Sequence, residues 1–197
     1  MNRAYWAHVT AFGALWGVLE ITLGAFLHTL RLPLVGLVMA ATSAGLLVGQ
    51  RQLLPRRGTS LATGVVAALC KSISPGGIIL GPMIGIFTEA ALVELSLLPW
   101  PRSRVGALLA GALCTLWATF QGLVTQYLLF GGKIIELYLA ALSRAGRWLH
   151  LPAGTGWWAL ALLVGLVGLV GGLGALAGRR VGLDSADRLG LDPTGGR

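Results

Sequence analysis

The stretch Lys71–Leu80, KSISPGGIIL, interrupts a chain that is otherwise oily, and its reading decides how many helices the chain packs. Read as a corner, it separates a third apolar segment, Thr59 to Cys70, from a fourth, Ile78 to Leu98. Read as the middle of one long segment, it removes a crossing, and every later loop changes sides. Pro75, Gly76 and Gly77 break helices, which favours the corner. Irregular backbone near membrane depth is tolerated only where protein or water satisfies its polar groups. The stretch is therefore either a plain tight turn, with Lys71 reaching to water, or a cap over a pocket that offers Lys71 and Ser74 to a polar or anionic ligand.

The surrounding composition sets the solvent. The 197 residues are 55% hydrophobic and only 11% charged, where a soluble domain carries about 25% charged residues. Mean hydropathy is +0.78. Too little polar surface exists to cover a globule in water, so the expectation is an all-α, polytopic membrane protein. The 30 glycines suit helices that pack closely in lipid. The net charge of +8 does not point to nucleic acid. Its basic residues sit in small groups between apolar runs, as topology signals do, and form no stripe interleaved with aromatics. Cys70 and Cys114 have neither CxxC nor metal-ligand spacing and read as packing residues. No cofactor or metal is expected. The first apolar segment is too long for the core of a cleavable signal and reads as a crossing.

Working outward from the corner gives about six transmembrane helices. The segments are Tyr5–Leu30, Pro33–Gly49, Thr59–Cys70, Ile78–Leu98, Val105–Phe130 and Trp157–Ala177. The basic stretch QRQLLPRRG, Gln50 to Gly58, separates the second from the third. The prolines of PWPRSR end the fourth. Ile134 to Leu151 is amphipathic, with Ile135, Leu139 and Leu142 opposite Glu136, Arg144 and Arg147, and is expected to lie along the interface. Arg179 and Arg180 are read as the stop of the last segment. Residues 1–178 then form one membrane domain and 179–197 a polar cytoplasmic tail. With both termini inside, ten of the 15 Lys and Arg residues fall in the cytoplasm: Arg3, Arg51, Arg56, Arg57, Arg102, Arg104, Arg179, Arg180, Arg188 and Arg197. Arg31, Lys71, Lys133, Arg144 and Arg147 fall outside. This matches the positive-inside rule for a multi-pass protein of the inner (plasma) membrane.

Charges inside spanning segments are costly and are functional candidates by default. Glu20 and His28 lie near one face of the first segment. With Lys71, Ser74, Gln121 and Gln126 they fall in the middle or outer half, where they could line one outward-facing cavity. Trp158 is a candidate to stack on a flat ligand, although interface anchoring explains an outer tryptophan equally well. Glu89 is read as bonding across to another helix and Glu94 as solvated near the inner interface. Ala7, Ala11 and Ala14 share one small-residue face of the first segment, and Gly13 and Gly17 another; such faces serve internal packing or docking. No HExxH, GxSxG or Walker lysine loop is present, so no catalytic residues are assigned and the chain is not expected to hydrolyse ATP.

The AxxxA face AHVTA (Ala7–Ala11), the stretches GALWGVLEITLGAFLH (Gly13–His28) and SPGGIILGPMIGIFTEAALVEL (Ser74–Leu95), and the six-segment, both-ends-inside layout together resemble the substrate-binding S component of energy-coupling factor (ECF) transporters. The resemblance spans Tyr5 to Ala177. It implies a non-enzymatic receptor that captures a vitamin or related micronutrient in an outer pocket. A transmembrane coupling subunit and two ATPase subunits would then drive import. It also implies that Ala7 and Ala11 dock on the coupling subunit. The family has no universal ligand signature, so the cavity residues rest on the residues' own chemistry. The short third segment departs from the pattern and bears on the helix count. The competing class is a structural or assembly subunit of a larger membrane complex, with no ligand pocket. A membrane enzyme using Glu89 or His28 as acid or base lacks a supporting constellation.

Overall fold

The computed structural model describes residues 3–29, 35–73, 80–148 and 156–191. Every regular element among them is helical: α1 (Arg3–Thr29), α2 (Val35–Leu53), α3 (Thr59–Ser72), α4 (Leu80–Leu97), α5 (Arg104–Phe130), α6 (Lys133–Trp148) and α7 (Gly156–Arg188). The all-α expectation and the separation of α3 from α4 therefore hold. Ser74, Pro75, Gly76 and Gly77, the centre of the corner, lie outside the described residues, as do Arg31, Pro33 and Arg197.

Among the described residues three helices are long and apolar enough to cross a membrane: Arg3–Leu27, Arg104–Leu128 and Leu160–Arg188. Their outward faces carry uncovered apolar side chains, including Leu15, Phe26, Leu109, Phe120, Leu128, Leu162, Leu166 and Leu173, a surface suited to lipid and not to water. By length and composition these three helices are suited to a membrane. The other apolar elements are shorter. With 14 residues, α3 is about 21 Å long, less than the roughly 30 Å hydrocarbon core.

Two helices overrun their expected ends. Gly49 was expected to end the second segment, but α2 continues to Leu53. Nothing in Gln50–Leu53 breaks a helix, and the first obstacle is Pro55, which disfavours helical backbone in the residue before it. Arg179 and Arg180 do not stop the last helix either; α7 runs to Arg188. The Arg179 guanidinium is satisfied by the Arg102 carbonyl, with Nε at 3.0 Å and Nη2 at 2.8 Å. The helix ends where Gly190 adopts φ 62° and Leu191 N–H returns to the Ala186 carbonyl at 3.0 Å, a glycine-terminated cap.

Packing runs α1–α3–α4–α5–α7–α2, and α2 also reaches back to α1, α3, α4 and α5. The most extensive contacts are α2 with α7 and α5 with α7. Glycine rows make both possible. In the first pair a Cβ on Gly49 would stand 2.9 Å from the Gly178 carbonyl oxygen, and in the second a Cβ on Gly111 would run into the Gly171 carbonyl. Backbones this close gain dispersion contacts along their length, the main attraction left to helices in lipid. Thr115 reinforces the second pair by donating to the Val167 carbonyl at 3.0 Å. On α1, Gly13 and Gly17 serve internal packing. A Cβ there would come within 2.5 Å of Val66 and Cys70 on α3. Trp16 and Cys114 are buried in the central apolar cluster, and both cysteines are free thiols.

Candidate functional site

Two polar regions sit at opposite ends of α3. At its start, the α2–α3 and α4–α5 turns meet the beginning of α1. There Arg51 is fully buried on α2, with Nη2 3.5 Å from Glu94 Oε1 on α4. The sequence reading had both residues in water: Arg51 as a loop charge and Glu94 as a solvated carboxylate. Instead Glu94, 4% exposed, closes the start of α3. It accepts the Gly58 N–H at 2.7 Å and the Ser60 N–H at 3.0 Å. Gly58 occupies the N-cap with φ 82° and has no side chain to cap with. A carboxylate from another helix does that work, where unpaired N–H groups and the helix dipole favour negative charge.

The rest of this knot ties further elements to it. Arg51 Nη1 donates to the Arg56 carbonyl, which also accepts from Thr59 Oγ1 at 2.7 Å. Gln50 donates to Thr63 at 2.8 Å, and Gln52 donates to the Pro101 carbonyl at 3.2 Å. The Tyr5 hydroxyl lies 3.5 Å from Thr59 Oγ1, and the Arg56 guanidinium stands 5.4 Å over the Tyr5 ring. Midway along the bundle Ser43 donates to Glu89, so the expectation that Glu89 bonds across to another helix holds. The pairing in the knot is incomplete: Gln50 Oε1, Gln52 Oε1, Ser60 Oγ and Arg51 Nε are buried there without a hydrogen-bond partner among the described residues, each a polar group whose burial is costly.

At the far end of α3, Lys71 is half-buried and its Nζ reaches the Glu20 carbonyl oxygen at 3.3 Å. Glu20 itself is half-buried on α1. Of the residues expected to share a cavity, these two are brought together. Gln121 sits one helix pair away, on the α4–α5 seam. It donates to the Gly81 carbonyl at 2.6 Å, and Gly85 provides the space beside its amide. Gln126 faces elsewhere, as the acceptor of the Tyr138 hydroxyl at 2.9 Å, so it ties α6 to α5. Trp158 is exposed at the start of α7. His28 belongs to α1, but its side chain lies outside the described residues, as does Ser74. Ala7 and Ala11 are exposed, both within two turns of Tyr5 and the knot. A surface hollow lined by Pro99, Trp100, Pro101, Arg102 and Ser103 lies at the knot end, not beside Lys71. Among the described residues no group of three or more His, Cys, Asp or Glu is placed to hold a metal ion.

No known family, curated protein or solved structure matches the chain.

The knot residues were the ones sequence reasoning missed. A local signal existed: Gln50, Arg51 and Gln52 follow an unbroken helical run, and the first breaker comes only at Pro55. The glycine rows on α2 and α7, Gly45–Gly49 and Gly174–Gly178–Gly182, also carry small-xxx-small spacing that marks close helix pairs.

Proposed function

We propose that this protein is the substrate-binding S component of an ECF-type uptake transporter. It would capture a vitamin-like small molecule from outside for import driven by a coupling subunit and ATPases. The supporting observation is the division of polar chemistry along α3. One end is tied by the Arg51–Glu94 knot. The other gathers Lys71 and Glu20, with Gln121 on the neighbouring seam, in a half-buried setting where a polar ligand can exchange with their present partners. In the proposed topology α1, α2, α3, α4, α5 and α7 make six crossings of the plasma membrane, with the knot inside and Lys71 outside. Intramembrane ionisable groups that face a bundle interior mark ligand paths, and a site between membrane helices is a usual place for a small molecule.

The split use of small residues on α1 supports the docking half of this reading. Gly13 and Gly17 are consumed by α3, whereas Ala7 and Ala11 remain exposed and available to a coupling subunit. A structural subunit would use the same face but would bind no small molecule. Replacing Ala11 with tryptophan separates docking from folding. The variant should insert and fold normally yet fail to co-purify with a coupling subunit and ATPases. Retained association would remove the docking assignment.

A further inference from the structure

We infer that α6 is a membrane-surface helix that seats on anionic lipid headgroups. The helix has 16 residues, about 24 Å, and carries Lys133, Glu136, Arg144 and Arg147. It is too short and too charged to cross. Gly131, at φ 69°, turns the chain off the axis of α5 just before it. Its contacts with the remainder of the described bundle are limited to α5 and α7, with the Tyr138–Gln126 hydrogen bond as a tether.

The exposure of its two faces identifies the occupant. Of the described side chains on the apolar stripe, Leu139 is 60% exposed, and Tyr138 is 44% exposed even with its hydroxyl on Gln126. A lid closed over a pocket would turn that stripe onto the bundle and bury it. Uncovered by protein, an apolar stripe of this kind sinks into the acyl boundary of a bilayer. The opposite face carries three cations, Lys133, Arg144 and Arg147, against one anion, Glu136. Zwitterionic headgroups would satisfy the apolar stripe alone. The excess positive charge is complementary to anionic headgroups. Exposed Trp148, Trp157 and Trp158 flank the far end of the segment, where aromatic rings anchor at headgroup level. Nothing here depends on the transport reading; a structural subunit would hold α6 the same way.

The test is amide hydrogen exchange on the full chain in nanodiscs of phosphatidylcholine, with or without phosphatidylglycerol. Protection over Lys133–Trp148 should rise in the anionic discs. The Arg144→Gln/Arg147→Gln variant should lose that gain, by roughly five-fold per charge removed (about 1 kcal/mol each at an anionic surface). Exchange in α2 and α5 serves as the folding control and should not change. Equal protection in both disc types would overturn the inference. So would an anionic gain that survives in the double variant, or protection that follows protein concentration and not lipid charge.

Discussion

Replacing Glu94 by alanine removes three interactions at once. The Arg51 guanidinium, fully buried, loses its counter-ion at 3.5 Å, and the N–H groups of Gly58 and Ser60 lose their acceptor. Breaking a buried pair from one side leaves an uncompensated charge, at a cost of about 3–5 kcal/mol. Part of that sum is the two orphaned donors at the start of α3, at roughly 1–3 kcal/mol for a buried unsatisfied group. Glu94→Ala should therefore lose about 3–5 kcal/mol of unfolding free energy, read by denaturant titration of the purified protein in mixed micelles. The double variant Arg51→Leu/Glu94→Leu removes the stranded charge as well. It should recover part of the loss, leaving mainly the uncapped start of α3, with a coupling between the two sites of about 0.5–3 kcal/mol. A Glu94→Ala loss within about 0.5 kcal/mol, the behaviour of a solvated surface side chain, would refute the buried knot.

Other outcomes follow from the packing. Gly178→Ala forces a methyl against the Gly45 backbone and should cost about 1–3 kcal/mol, whereas Gly165→Ala, which meets open space, should leave stability unchanged or slightly raised in the same titration. Ser43→Ala leaves the buried Glu89 carboxyl without its hydroxyl partner and should cost about 1–3 kcal/mol; a neutral result would show that another group serves Glu89. Ala7→Trp adds bulk to an exposed position, so unfolding should move by no more than about 0.5 kcal/mol, and a large loss would mean that this face packs within the bundle.

The helices were legible in the sequence because lipid imposes a simple pattern. Apolar runs bounded by Pro, Gly and Arg mapped onto α1 to α5 and α7, and the amphipathic run mapped onto α6. Their ends were less legible where a polar residue was taken as a boundary. Arg51 and Arg179 look locally like charges reaching for water. Their actual partners, Glu94 and the Arg102 carbonyl, become neighbours only after the chain folds back. Gly58 and Glu94 are 36 residues apart, and no local spacing announces that one caps the other. At the candidate site Lys71 was expected to share a cavity with Glu20, and its Nζ reaches the Glu20 backbone carbonyl. The five-residue spacing of Gln121 and Gln126 already turns them apart on α5 by more than a quarter turn; what the sequence did not supply was the partner of each, Gly81 for the first and Tyr138 for the second.

The receptor proposal is tested most directly by native mass spectrometry of the gently purified protein, followed by extraction of whatever small molecule travels with it. The account predicts a single bound species. A Lys71→Ala/Gln121→Ala variant that still folds should lose it, and adding it back should raise thermal stability with concentration. A chain that arrives without any small molecule, but in stable complex with a membrane partner, would contradict the proposal and favour the assembly-subunit alternative.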